Sequence, residues 1–203
     1  MSDDKLDLTS RLLAWVSSNI KFIVIGVVIG VSIPLLWNFM QYKEQQKNLV
    51  ASDLYYDSIN IESTNEEIEQ IRNKLKLEHS DSIYEVLSNF LSAKKEFENE
   101  NYDLSMSYLQ EILNININKT YNSLANIKIA IIYIQKEDYA NALKKLDEVE
   151  MQNAFKQVLS EIKGDIYKYK GDKVKSLKFY EEAISSSAIN NENLLMKRNS
   201  VQN

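Results

Sequence analysis

Residues 41–203 contain no proline and only two glycines, Gly164 and Gly171. Tight hairpins need residues that tolerate positive φ, and turns draw on proline and glycine. A stretch this long with so few of them reads as an all-helical body rather than a sheet. The chain's one proline, Pro34, and its other two glycines, Gly26 and Gly30, all lie upstream. Hydrophobic residues make up 44% and charged residues 26%, so there is enough apolar material for a core and the chain does not read as disordered. Net charge is −5 and no basic run appears, which argues against nucleic acid as a partner.

The upstream part is different in kind. Residues 22–40 read FIVIGVVIGVSIPLLWNFM, with no charge. At about 1.5 Å per residue this nearly crosses a hydrocarbon core of about 30 Å. Trp15, Trp37 and Tyr42 stand near the two ends, where amphipathic rings favour the interface. The apolar run exceeds a signal-peptide core and is followed by WNFMQYKEQQ rather than small residues, so it reads as a retained single-span anchor. Lys5, Arg11 and Lys21 precede it and Lys43 and Lys47 follow it, a slight bias towards a cytoplasmic N-terminus. Gly26 and Gly30, four apart, share one helix face and could admit a second helix closely; equally, glycine is simply common in membrane helices. Pro34 bends the helix or loosens its backbone bonding there.

The body repeats. Gly164, Tyr167, Ser176, Tyr180 and Ala183 have counterparts 34 residues earlier in Ala130, Tyr133, Ala142, Leu146 and Val149. This order of small and large positions, at this period, is the tetratricopeptide pattern of paired antiparallel helices A and B. Small residues at Gly164 and Ser176, or Ala130 and Ala142, let A and B touch. Tyr167 and Tyr180 are expected to fill space between successive units. Gly171 ends helix A in a left-handed conformation, and Asp172 caps helix B. A further unit surrounds Ala93, Ser105, Leu109 and Ile112. Its offset of 37, from Ser105 to Ala142, fits an insertion in NININKT.

The reading is thus a tail at 1–21, a transmembrane helix at 22–40, and a right-handed helical-repeat domain at 41–203 with units near 86–113, 123–152 and 157–186. A capping helix at about 191–198 covers the open end. Helices at 43–60 and 65–78 could form a degenerate first pair, the second entered by a capping box of Thr64 and Glu67.

No catalytic constellation stands out. There is no cysteine, hence no disulfide or thiolate site, and the one histidine, His79 in LEHSDS, reads as a solvated residue near a helix end. Glu66, Glu67 and Glu69 read as a solvated face. No metal or cofactor is expected, and the chain reads as a non-enzymatic interaction protein. The exception to blandness is YNSLANIKIAIIYIQ, residues 121–135, which is apolar nearly all round. Leu124, Ile127, Ile131 and Ile134 share one face of this A helix. They either line a groove for an extended or helical apolar peptide or are covered by neighbouring helices or the C-terminal tail.

The layout of short tail, glycine-paired span, long helix and about three repeats resembles the YfgM-like family of bacterial inner-membrane proteins. IKGDIYKYKGD from Ile162 to Asp172, then SLKFYEEAI and the terminal LLMKRNSV, carry the resemblance; Ser176 in place of alanine departs from it mildly. The resemblance implies an ancillary subunit of the SecYEG translocon, anchored in the inner membrane with a cytoplasmic N-terminus. Its repeat domain would be periplasmic and would meet a PpiD-like chaperone and exported clients. The competing reading is a membrane-anchored scaffold for an envelope or cell-division complex.

Overall fold

The computed structural model describes residues 3–59, 64–80, 82–187 and 191–202. Among these every regular element is an α-helix. In chain order they are α1 (Asp3–Ser58), α2 (Asn65–Glu78), α3 (Ile83–Glu98), α4 (Tyr102–Ile115), α5 (Lys119–Gln135), α6 (Tyr139–Asp147), α7 (Lys156–Tyr169), α8 (Lys173–Ser186) and α9 (Glu192–Gln202). The chain divides into two compact units, Met1–Val50 and Ala51–Asn203.

The first unit is helix α1 up to Val50. It is long and apolar enough to cross a membrane. Val24, Val28, Val31 and Leu35 are exposed along it. In water each would forfeit burial worth about 1.5–3 kcal/mol, whereas hydrocarbon accepts them and the helix satisfies its own backbone.

In the second unit α3–α4, α5–α6 and α7–α8 pack as pairs, each pair leading into the next, and α8 then packs on α9. The first core joins Val86 and Ala93 of α3, Leu109 and Ile112 of α4, and Ile129 and Ile132 of α5. The second joins Ile127 and Ala130 of α5, Leu146 of α6, and Leu159 and Ile166 of α7. Helix α5 thus supplies both cores from opposite sides, which is why its sequence is apolar nearly all round.

Two of the three pairs are pinned by the same buried bond. The Ser176 hydroxyl donates to the Gly164 carbonyl at 2.9 Å, and the Ser105 hydroxyl to the Ala93 carbonyl at 2.6 Å. Serine at 176 therefore does what serine at 105 does, while Ala142 makes the same crossing without a hydroxyl. Gly164 has a further reason to be glycine: a Cβ there would lie 2.7 Å from two ring carbons of Tyr180. Both rings expected between units work inside the third pair instead. Tyr180 covers Gly164, and Tyr167 stacks on Phe179 at 5.4 Å.

The A-to-B turns are alike three times over. Glu100, Glu137 and Gly171 hold left-handed φ of 62°, 58° and 75°. Around each, one amide reaches back five residues and one reaches back three: Asn101 to Glu96 and Glu100 to Phe97, Asp138 to Tyr133 and Glu137 to Ile134, Asp172 to Tyr167 and Gly171 to Lys168. This is the Schellman arrangement, which satisfies carbonyls a helix end would otherwise leave open. Asp138 and Asp172 then cap the B helices by accepting from the amides of Asn141 and Lys175, both at 3.1 Å.

Helix α6 has 9 residues where α4 and α8 have 14. Its shortened end is closed by side chains. Gln152 donates to the carbonyls of Leu146 and Val149 at 3.0 and 2.8 Å, Asn126 donates to Glu148 at 3.4 Å, and the Ser123 hydroxyl accepts from the Met151 amide at 3.3 Å. The three surplus residues between the first and middle units are taken up around a left-handed Asn116 and in α5, which has 17 residues against 14 in α7. Thr64 and Glu67 form the capping box at the start of α2. The main neighbour of α2 is α3 rather than the end of α1, so the expected first pair is not the principal packing.

Candidate functional site

Helices α3, α5 and α7 are the A helices, and adjacent ones touch. Where α3 and α5 approach over α4 there is an open recess of ≈ 130 Å³. Its floor is Ala93, Leu109 and Ile132, all buried in the first core, with Ser105 beside them. The Ser105 hydroxyl is already committed to the Ala93 carbonyl, so the floor is effectively apolar. Phe97 and Ile131 form the walls, and the exposed Lys94 and Lys128 stand beside them. Among the described residues no carboxylate lines it.

The four residues expected to share a groove face separate. Ile131 lines the recess. Leu124 and Ile134 are half-buried, and Ile134, like Ile131 itself, also packs against the second core. Ile127 is only 5% exposed among Ala142, Leu159 and Ile166, so it belongs to the chain's own core rather than to an open groove. The reason is positional: residues at this place in an A helix meet the following A helix. In α7 the equivalent places, 34 residues on, are Glu161 and Asp165, and they meet α9. Lys197 donates to Glu161 at 2.8 Å and to Asp165 at 2.7 Å, and the Tyr180 phenol donates to Asp165 at 2.6 Å. Burial, then this bond to Asp165, raises the Tyr180 pKa; the two carboxylates outweigh burial and raise that of Lys197. With Leu194 and Val201 buried, α9 closes the third unit's end as a terminal cap should.

Two further features escaped sequence reasoning. Arg72 of α2 is buried, 7% exposed. It binds Glu69 at 2.5 and 3.0 Å, Glu111 of α4 at 3.2 Å and Asn89 of α3 at 3.4 Å, and lies 4.8 Å over the Tyr108 ring. The hydrogen bond to Arg72 lowers the Glu69 pKa, and the same bond raises that of Arg72. Glu69 is therefore part of the lock that seats α2 on the repeats, not a solvated face. Its only sequence signal was the i, i+3 spacing to Arg72. His79, the C-cap residue of α2, is buried at 5% exposure, contrary to the solvated reading. Among the described residues no group of three or more histidines and carboxylates could hold a metal ion. Gly26 and Gly30 have nothing within 4 Å of where a Cβ would stand.

A family model for tetratricopeptide repeat-like domains matches residues 13–203. The chain belongs to the tetratricopeptide repeat-like family. Among curated proteins it is similar to one named ancillary SecYEG translocon subunit in Haemophilus influenzae, 26% identical over 88% of each chain. A protein of the same name in Aggregatibacter actinomycetemcomitans is 26% identical over 97% of this chain and 96% of its own. Another, in Neisseria gonorrhoeae, is 27% identical over 67% of this chain and 66% of its own. These are relatives of the YfgM-like type that the sequence resembles.

Proposed function

We propose that this chain is an ancillary subunit of a bacterial SecYEG translocon, anchored by residues 22–40, whose repeat domain binds polypeptides and performs no reaction of its own. The observation that carries this is the extent of the Aggregatibacter match. At 97% of the chain it takes in the anchor and all but a few residues of the repeat domain, so the likeness concerns the full architecture and not a repeat alone. In this reading residues 1–21 are cytoplasmic, following the small excess of Lys5, Arg11 and Lys21 over Lys43 and Lys47. The repeat domain lies in the periplasm, where it meets a PpiD-like chaperone and emerging clients. Gly26 and Gly30 offer the face on which α1 packs against another span.

The test is purification of the full chain from gently solubilised membranes, with blotting for channel subunits. Stoichiometric co-purification of the channel is expected. Recovery of cell-division or envelope-assembly proteins without the channel would favour the scaffold and overturn the reading. Protease added outside spheroplasts should digest residues 41–203; protection until lysis would reverse the orientation.

A further inference from the structure

The recess between α3, α4 and α5 has a composition that narrows what it can hold. Its volume, ≈ 130 Å³, is close to that of an engineered apolar cavity of about 150 Å³ that takes a benzene ring. It therefore admits one branched aliphatic or aromatic side chain, not a folded surface. Its floor offers no free hydrogen-bond donor, since the Ser105 hydroxyl donates to the Ala93 carbonyl. A polar guest would give up hydrogen bonds to water against this mostly apolar floor, whereas an apolar guest gives up none. Both charged side chains at its lining, Lys94 and Lys128, are positive. Lys128 has no ion-pair partner among the described residues. Among the same residues Lys94 has Glu98 alone, at 3.7 Å and with both side chains more than 60% exposed, a pair worth little in water. Some lysines of this acidic chain are held closely, as Lys136 by Asp103 at 2.6 Å or Lys163 by Asp147 at 2.9 Å; these two are not. Half-buried apolar side chains continue along the A helices on either side, with Phe90 and Leu124 before the recess and Ile134 after it.

We propose that this recess seats one apolar side chain of an extended, internal polypeptide segment whose neighbouring residues are Asp or Glu, the carboxylates meeting Lys94 and Lys128. The inference deepens the polypeptide-binding reading given above and names the class of segment recognised. Charge complementarity selects the acidic flanks, and the apolar floor of the open recess selects the central residue. An internal segment is favoured over a chain end because the apolar row extends past the recess in both directions.

The test uses the full chain in detergent micelles and fluorescence anisotropy of short acetylated, amidated peptides. One carries a single leucine between pairs of aspartate and glutamate. The controls replace the leucine by serine, or the acids by lysine, or place the leucine at a free C-terminus. The first peptide should bind at least tenfold more tightly than the serine and lysine controls, and more weakly as salt rises. Lys94→Glu combined with Lys128→Glu, both on exposed side chains, should lose at least tenfold for the acidic peptide and gain for the basic one, with unchanged helical content. Equal binding of acidic and basic peptides, indifference to the leucine, or no binding overturns the proposal. So does preference for the free C-terminus, or a shift from dimer to monomer in the double variant, which would make a second copy the occupant. Channel co-purification of the double variant is read separately: its retention alongside lost peptide binding leaves the translocon reading intact, and failure of both wild-type measurements removes each reading on its own result.

Discussion

The middle and third helix pairs make the same crossing with different materials. In the third, Gly164 lies beneath the Tyr180 ring and Gly171 forms the left-handed turn. In the middle, Ala130 meets Leu146, and the turn falls on Glu137. One methyl more on helix A is matched by a smaller side chain on helix B. The repeat thus conserves the summed volume at the crossing, not the residues that make it, as close packing requires. The turn conserves a backbone conformation even where the residue that adopts it most easily is missing.

This comparison can be broken most directly at the crossing. Gly164→Ala should cost about 1–3 kcal/mol through overpacking against the Tyr180 ring. Tyr180→Leu should cost a similar or larger amount, about 2–4 kcal/mol, through the void and the lost bond to Asp165. Combined, they recreate the middle pair, so the double variant should be destabilised by less than the sum of the two. Urea unfolding of the full chain in micelles, followed by helical circular dichroism, measures all three; strict additivity would mean the volumes are not shared.

Ala142→Leu tests the middle pair from its other side. Ala142 is fully buried, so about 1–3 kcal/mol should be lost, whereas exposed Lys144→Leu should change stability by under about 0.5 kcal/mol. Equal melting shifts for the two would displace the register by which the pairs are matched.

The turns should respond in opposite directions. Glu137→Gly should stabilise by about 0.5–1 kcal/mol by relieving a side chain in the left-handed region, and Gly171→Ala should destabilise by about 1 kcal/mol. If the melting temperature moves the same way in both, the two turns are not equivalent.

The smallest effect lies in the caps. The Asn141 side chain and amide lower the Asp138 pKa, and the Lys175 amide and side chain lower that of Asp172. A lowered folded-state pKa means that the cap contributes fully above the ordinary carboxylate range. That contribution is lost as pH falls through the folded value. Asp172→Asn retains an acceptor at all pH values, so its acid unfolding limb should be shallower than that of the parent chain. An unchanged acid limb would remove Asp172 from the list of groups that set acid stability.

Much of the fold was legible because its signals are local or periodic. A lack of turn residues specifies helices, Thr64 and Glu67 mark a helix start, and small residues recurring every 34 positions mark where two helices cross. The candidate site was legible only in part. Ile131 was found, yet Ile127, one turn earlier on the same face, is core. The left-handed turns at Glu100 and Glu137 carry no glycine to announce them.

What the sequence by itself determined was the helical class, the apolar span, the repeat period and the absence of cysteine chemistry, each a property of residues read along one chain. Tertiary structure decided which side of α5 each isoleucine serves, that Arg72 and His79 are buried, and that Phe97, Ile131, Lys94 and Lys128 gather around one recess. Periodicity identifies a face of a helix, but what covers that face depends on helices distant in sequence. The burial that results is a property of the assembled stack.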